Sequence, residues 1–239
     1  MAKKPKSPKD VFAEFTHDIK QAFAEDVVGI HLYGSGAKGE YDPKHSDINF
    51  MVVLTEPGIQ KIDQYIPFMK KWNKRGVAVP LFLTRNYIES SLDAFPIEFL
   101  NMQKYNQPVY GENVLESLDI DPKDLRLKCE EQIKGKLLHL REEFLRTGGR
   151  KRLVKQLLDA TVPAFSSIFT ALLHLKDVTP PARKKDTLLK SAQEFGLDES
   201  VFNKVLQVNA LNPGKDELYE LCKRYIEEIR KLAKIVDKW

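Results

Sequence analysis

Val27-Val-Gly-Ile-His-Leu-Tyr33 runs straight into Gly34-Ser35-Gly36-Ala37-Lys38-Gly39, and after a polar loop the chain resumes as Asp47-Ile-Asn-Phe-Met-Val-Val-Leu54. The first and last of these stretches are apolar and rich in β-branched and aromatic residues, and the glycines between them punctuate, so the spacing predicts strand, tight turn, loop, strand. Asp47 and Asn49 are two residues apart, which places both side chains on one face of the second strand and Ile48 on the other.

The chemistry of this unit follows from the residue types. A glycine turn lets backbone N–H groups approach a ligand without Cβ interference, and a helix starting at the turn would add its positive end. The Ser35 hydroxyl offers one more donor, and Lys38 is close enough in sequence to reach a phosphate bound there. Two oxygen-bearing side chains beside a phosphate-binding turn suit Mg²⁺. An isolated acid within an apolar strand also needs a partner or a metal.

The residues Gly34, Ser35, Ser46-Asp47 and the position of Asn49 resemble the nucleotidyltransferase superfamily typified by DNA polymerase beta and kanamycin nucleotidyltransferase. Its signature is an apolar strand, Gly-Ser, a spacer, and Asp-x-Asp or Asp-x-Glu in a second apolar strand, with a third carboxylate on a later strand. The resemblance implies nucleotide binding by Gly34, Ser35, Lys38 and Ser46, and catalysis at Asp47 and Asn49. It also implies Mg²⁺ as cofactor, with a nucleoside triphosphate as substrate. The sequence departs from the pattern at Asn49, which brings an amide where the family has a carboxylate. The segment 76–84, expected as the next strand, has no acid, so Glu98 within Phe95–Met102 is the candidate third metal ligand beside Asp47 and Asn49. Its alternative is an edge-strand surface residue.

Composition agrees with a chain built around real cores. The 239 residues are 42% hydrophobic, with a formal net charge of +4. That charge permits an anionic ligand but gives no reason to expect nucleic acid. No apolar run approaches the roughly 20 residues of a bilayer span, and the Lys-rich first nine residues read as a flexible end without the apolar centre of a secretory signal. A cytoplasmic protein is the expectation, with Cys129 and Cys222 as reduced packing residues.

The periodicity changes near residue 120. Before it, short strands alternate with helices, led by Ser7-Pro8-Lys9-Asp10 as a helix start and by Phe12, Phe15, Ile19 and Phe23 at helical spacing. After it, three apolar stripes recur at 3.6 residues. They run from Cys129 to Phe144, from Leu153 to Leu175 with a kink expected at Pro163, and from Leu218 to Val236. The expected fold is an α+β nucleotidyltransferase-like domain over 1–120, followed by an all-α helical bundle over 121–239 through which an oligomer can form. Two basic clusters, Arg146 to Arg152 and Arg183 to Lys185, read as solvated helix ends.

Two functions remain open on this reading. One is transfer of a nucleoside monophosphate to a hydroxyl of a small molecule or a protein, weakened by Asn49. The other is a catalytically degenerate nucleotide-binding or protein-interaction module of the same fold.

Overall fold

A computed structural model describes residues 4–181 and 183–239. The chain divides into two compact units, one running to Asp93 and including Phe99–Ile120, the other formed by Ala94–Glu98 and Asp121–Trp239.

In the first unit the Ser7 hydroxyl accepts from the Lys9 N–H and the Asp10 carboxylate accepts from the Ser7 N–H, which starts a short 3-10 turn at Pro8–Val11. That turn feeds α1 (Phe12–Phe23). The reading of the first nine residues as a flexible end is corrected from Lys4 onward, because Pro5 and Pro8 are buried; residues 1–3 lie outside the described residues. After α1 come β1 (Val27–Tyr33), β2 (Asn49–Leu54), the short α2 (Glu56–Ile59) and α3 (Ile66–Lys74). They are followed by β3 (Leu81–Leu83), α4 (Arg85–Ser90), α5 (Pro96–Lys104) and β4 (Gln107–Gly111). The sheet order is β3-β2-β1-β4, antiparallel except for the parallel β2–β3 pair.

Alternation along β1 and β2 builds a core on each side of this sheet. Ile30, Leu32, Phe50, Val52 and Leu54 pack with Phe15, Ile19, Phe23 and Trp72, and Phe15 stacks on Phe50 at 4.1 Å between ring centroids. Met51 and Val53 face the other way, onto Leu83, Ile88, Phe99, Val114 and Leu115. Asp18 is buried on α1, where it accepts from the Trp72 indole N–H at 2.9 Å and from Lys71 at 2.5 Å.

The second unit contains α6 (Pro122–Arg146), α7 (Lys151–Leu175), α8 (Lys184–Glu194), α9 (Glu199–Leu206), α10 (Val208–Leu211) and α11 (Lys215–Asp237). Asp121 caps α6 by accepting from the Lys123 N–H at 2.7 Å, with Pro122 in the first turn. The expected stripes on α6 and α11 are buried, apart from half-buried Phe144. On α7 the stripe shifts by one residue in its first half, since Val154 and Leu158 are buried while Leu153 and Leu157 are half exposed. Neighbouring apolar residues sit about 100° apart on a helix, and sequence alone does not choose between two adjacent rows. The helix runs on as a single element through Pro163. By length and composition α7 also suits a membrane span, but 56% of its most apolar window is buried within the fold, as expected of a bundle core. Cys129 and Cys222 are free and buried, and burial pushes both thiols up to about 12.

Two expectations test the first unit. Asp18→Ala leaves the buried indole N–H without an acceptor, so urea denaturation should show a loss of about 2 kcal/mol, with Asp18→Asn losing less. His31 is fully buried on β1 with neither ring nitrogen in a good hydrogen bond. Burial holds its pKa below the ordinary 6.5, against weaker opposing effects of Asn106 and the Glu112 backbone. The unfolded chain therefore binds the proton more readily, and stability contributed by neutral His31 falls as pH drops below about 6.5. Denaturation at pH 7.5 and 5.5 should show that loss in the wild type and a smaller one in His31→Leu.

Candidate functional site

Tyr33, the last residue of β1, lies opposite Asn49, the first of β2, so the turn leaving β1 is held against the start of β2. Gly34 has φ +71°, and a Cβ there would lie 3.2 Å from Asn49 Nδ2. Glycine is needed both for that conformation and for that contact. No helix begins at the turn, so no helix end adds its charge there. Residues 34–39 make turns in which the Lys38 N–H donates to the Gly34 carbonyl at 3.1 Å and the Glu40 N–H to the Ser35 carbonyl at 2.9 Å. The N–H groups of Ser35, Gly36 and Ala37 donate to no backbone carbonyl among the described residues, so they remain suited to an anion.

The expected strand begins two residues later than Asp47, at Asn49, so Asp47 closes the loop that leads into β2. The Asn49 amide donates to the Asp47 carbonyl at 3.3 Å. The Asp47 carboxylate is open, its side chain 64% exposed, and its ion partner is Lys4, with Nζ 3.7 Å from Oδ1. The Lys4 stem packs at Gly76, which has φ +74°, and Tyr41 donates to the Pro5 carbonyl at 3.3 Å. Pro8 lies against Gly36. The segment 4–8 thus borders both the turn and the acid. No motif announced this role for Lys4; the only sequence signal was a basic residue among prolines ahead of a capped turn.

The remaining candidates occupy other settings. The Ser46 hydroxyl accepts from the Asp42 N–H at 3.2 Å, closing the loop that delivers Asp47. His45 pairs with Asp42 at 2.6 Å, and this contact, then the Lys44 N–H, holds the Asp42 carboxyl below the usual range. The Lys38 ammonium lies over the Tyr105 ring, 4.5 Å from its centroid. Glu98 is on a helix rather than a strand, because Pro96 starts α5, and its carboxylate accepts from Gln132 at 3.4 Å within the second unit. In the basic cluster after α6, Arg146 pairs with Glu143, and the Arg150 guanidinium donates to the Thr147 carbonyl at 3.0 Å. Both are helix-end roles.

The donor set around Asp47 falls short of what Mg²⁺ requires. Beside β2 the adjacent strand segment offers Val77, Ala78 and Val79, and Val79 is 56% exposed with no ligating atom. Among the described residues, no three His, Cys, Asp or Glu side chains converge as a metal group. One carboxylate, one amide and a lysine ammonium do not fit a two-metal centre, which needs bridging carboxylates to hold the ions close together.

A mixed sheet with a Gly-Ser turn beside an Asp-x-Asn strand defines a nucleotidyltransferase-type unit. Residues 14–104 match the family model described as nucleotidyltransferase domain, which supports a domain of that kind in this part of the chain. Among solved structures, the chain is similar to spectinomycin adenyltransferase from Enterococcus faecialis, crystallised with ATP and spectinomycin. The TM-score is 0.53 at 13% identity, over 93% of this chain and 99% of that one. At that identity the likeness is one of fold, and it extends through the helical half. No curated protein matches the sequence.

Gly34→Ala should lose about 1 to 2 kcal/mol in chemical denaturation, because it combines positive φ with crowding of Asn49. Gly39→Ala, at a glycine with φ +76° and no neighbour within 4 Å of the added Cβ, should lose less.

Proposed function

We propose that this protein is a nucleotide-binding module of the nucleotidyltransferase fold that has lost rapid nucleotidyl transfer. The triphosphate lies against the Gly34-Ser35 turn, where unspent backbone N–H groups and the Ser35 hydroxyl receive it. The observation that carries this reading is the composition of the acid site: Asp47 is one exposed carboxylate paired with Lys4, beside Asn49 and next to a strand segment of Val77, Ala78 and Val79. Removing a single electrostatic contact that stabilises a transition state commonly costs about 10² to 10³ in rate. Here a second carboxylate is missing at position 49 and no third stands on the adjacent strand.

Lys4 supplies positive charge where a metal would otherwise be required. Its ion pair with Asp47 is exposed and of a kind worth roughly 0 to 1 kcal/mol, so a phosphate can draw the ammonium away at little cost. Nucleotide binding is then expected with no absolute need for a divalent ion.

One observation favours a second reading, slow transfer of a nucleoside monophosphate to the hydroxyl of a small molecule. The likeness to an adenyltransferase covers nearly the whole of both chains, helical half included.

Lys4 variants and pyrophosphate release test the proposal. Lys4→Ala should weaken ATP binding in EDTA by about fivefold or more, with Lys4→Arg close to wild type. The wild type should release no pyrophosphate from ATP, GTP, CTP or UTP above background. Enzyme-like release with any of them overturns the first reading in favour of the second, and loss of all nucleotide binding overturns both.

A further inference from the structure

On α6, away from its bundle face, three leucines stand exposed. Leu127, Leu138 and Leu145 are 57%, 62% and 78% exposed. With Glu131, Lys134 and Arg141 they recur in alternating steps of four and three residues, which makes one continuous stripe down the helix. The opposite face, carrying Leu125, Cys129, Ile133 and Leu140, is buried in the bundle. The second face is thus a mixed seam of leucine and charge, in which Glu131 pairs with Lys128 at 2.9 Å and Lys134 with Glu130 and Asp237 at 2.6 Å within the chain.

We propose that this second seam pairs with the same seam of a second copy of the chain, antiparallel, across a two-fold axis close to Lys136. The charge pattern selects this occupant. Antiparallel pairing about that point sets Leu127 against Leu145 of the other copy, Glu131 against Arg141, and Lys134 beside Leu138. Two-fold symmetry makes each of these contacts twice. Arg141 forms no ion pair among the described residues, and the Glu131 carboxylate, although paired with Lys128 at 2.9 Å, is 67% exposed, so Arg141 of the other copy can share it. A parallel pair in register would instead juxtapose Glu131, Lys134 and Arg141 with their own copies, three like-charge contacts that disfavour it. Gly135, with no atom within 4 Å of an added Cβ, flanks the axis and lets the two backbones approach.

Size limits the strength of the contact. From Leu127 to Leu145 the stripe is about 27 Å long. At a width of about 10 Å it covers roughly 300 Å² a side, well under the roughly 800 Å² of a standard stable interface. The dimer is thus weak and reversible. This inference stands apart from the nucleotide reading and does not depend on it.

Sedimentation equilibrium over a wide concentration range, with circular dichroism as a check on folding, tests it. The wild type should show a monomer–dimer equilibrium, and Leu138→Glu should abolish it. Glu131→Arg and Arg141→Glu should each weaken it about tenfold, while the double swap restores it. An equimolar mixture of Leu127→Cys and Leu145→Cys proteins should form a disulfide-linked heterodimer under mild oxidation, with neither protein alone linking to itself. A monomer at every concentration, a dimer indifferent to the charge swaps, or self-linking of Leu127→Cys would overturn the proposal.

Discussion

The pairing of Tyr33 with Asn49 is the constraint on which the first unit depends. It fixes the register of β1 on β2, and through it the division of side chains between the two cores: Ile30, Leu32, Phe50 and Val52 on one side, Met51 and Val53 on the other. A slip of one residue would exchange these sets and drive Asn49 to the opposite face. The same pairing presses Gly34 onto the Asn49 amide, so turn and acid strand form one object.

What the site can do is then a question of charge. Binding a triphosphate needs donors and positive charge, which the turn and Lys4 offer. Fast transfer needs more, because charge developing on a phosphoryl group in flight is stabilised by preorganised cations, and those cations need carboxylates to hold them. At the start of β2 the chain presents one carboxylate, Asp47, beside the Asn49 amide. On the proposed reading, a site that keeps donors for phosphate and lacks the carboxylates of a two-metal centre suits a protein that responds to nucleotide more than one that consumes it.

Much of this is legible in the sequence. Apolar alternation and the glycine punctuation located β1, β2 and the turn, and the 3.6-residue period located the long helices. The readings that failed did so for identifiable reasons. Pro96 made a helix start of a segment whose apolar run also suited a strand, and so moved Glu98 onto α5. Pro80 shortened the expected strand over 76–84 to Leu81–Leu83. On α7 two adjacent apolar rows competed, and packing chose Val154 and Leu158. Lys4 was unreadable because its role comes from tertiary placement, with Pro5 and Pro8 buried and the side chain carried past Gly76 to Asp47.

The most direct measurement of the central claim is calorimetric titration of the wild-type protein with ATP, once in EDTA and once in excess Mg²⁺. The account predicts binding in both, with dissociation constants within about tenfold of each other, a difference of about 1.4 kcal/mol. Binding that appears only with Mg²⁺ would contradict it, and would mean that Asp47 and Asn49 hold a metal that the nucleotide cannot do without.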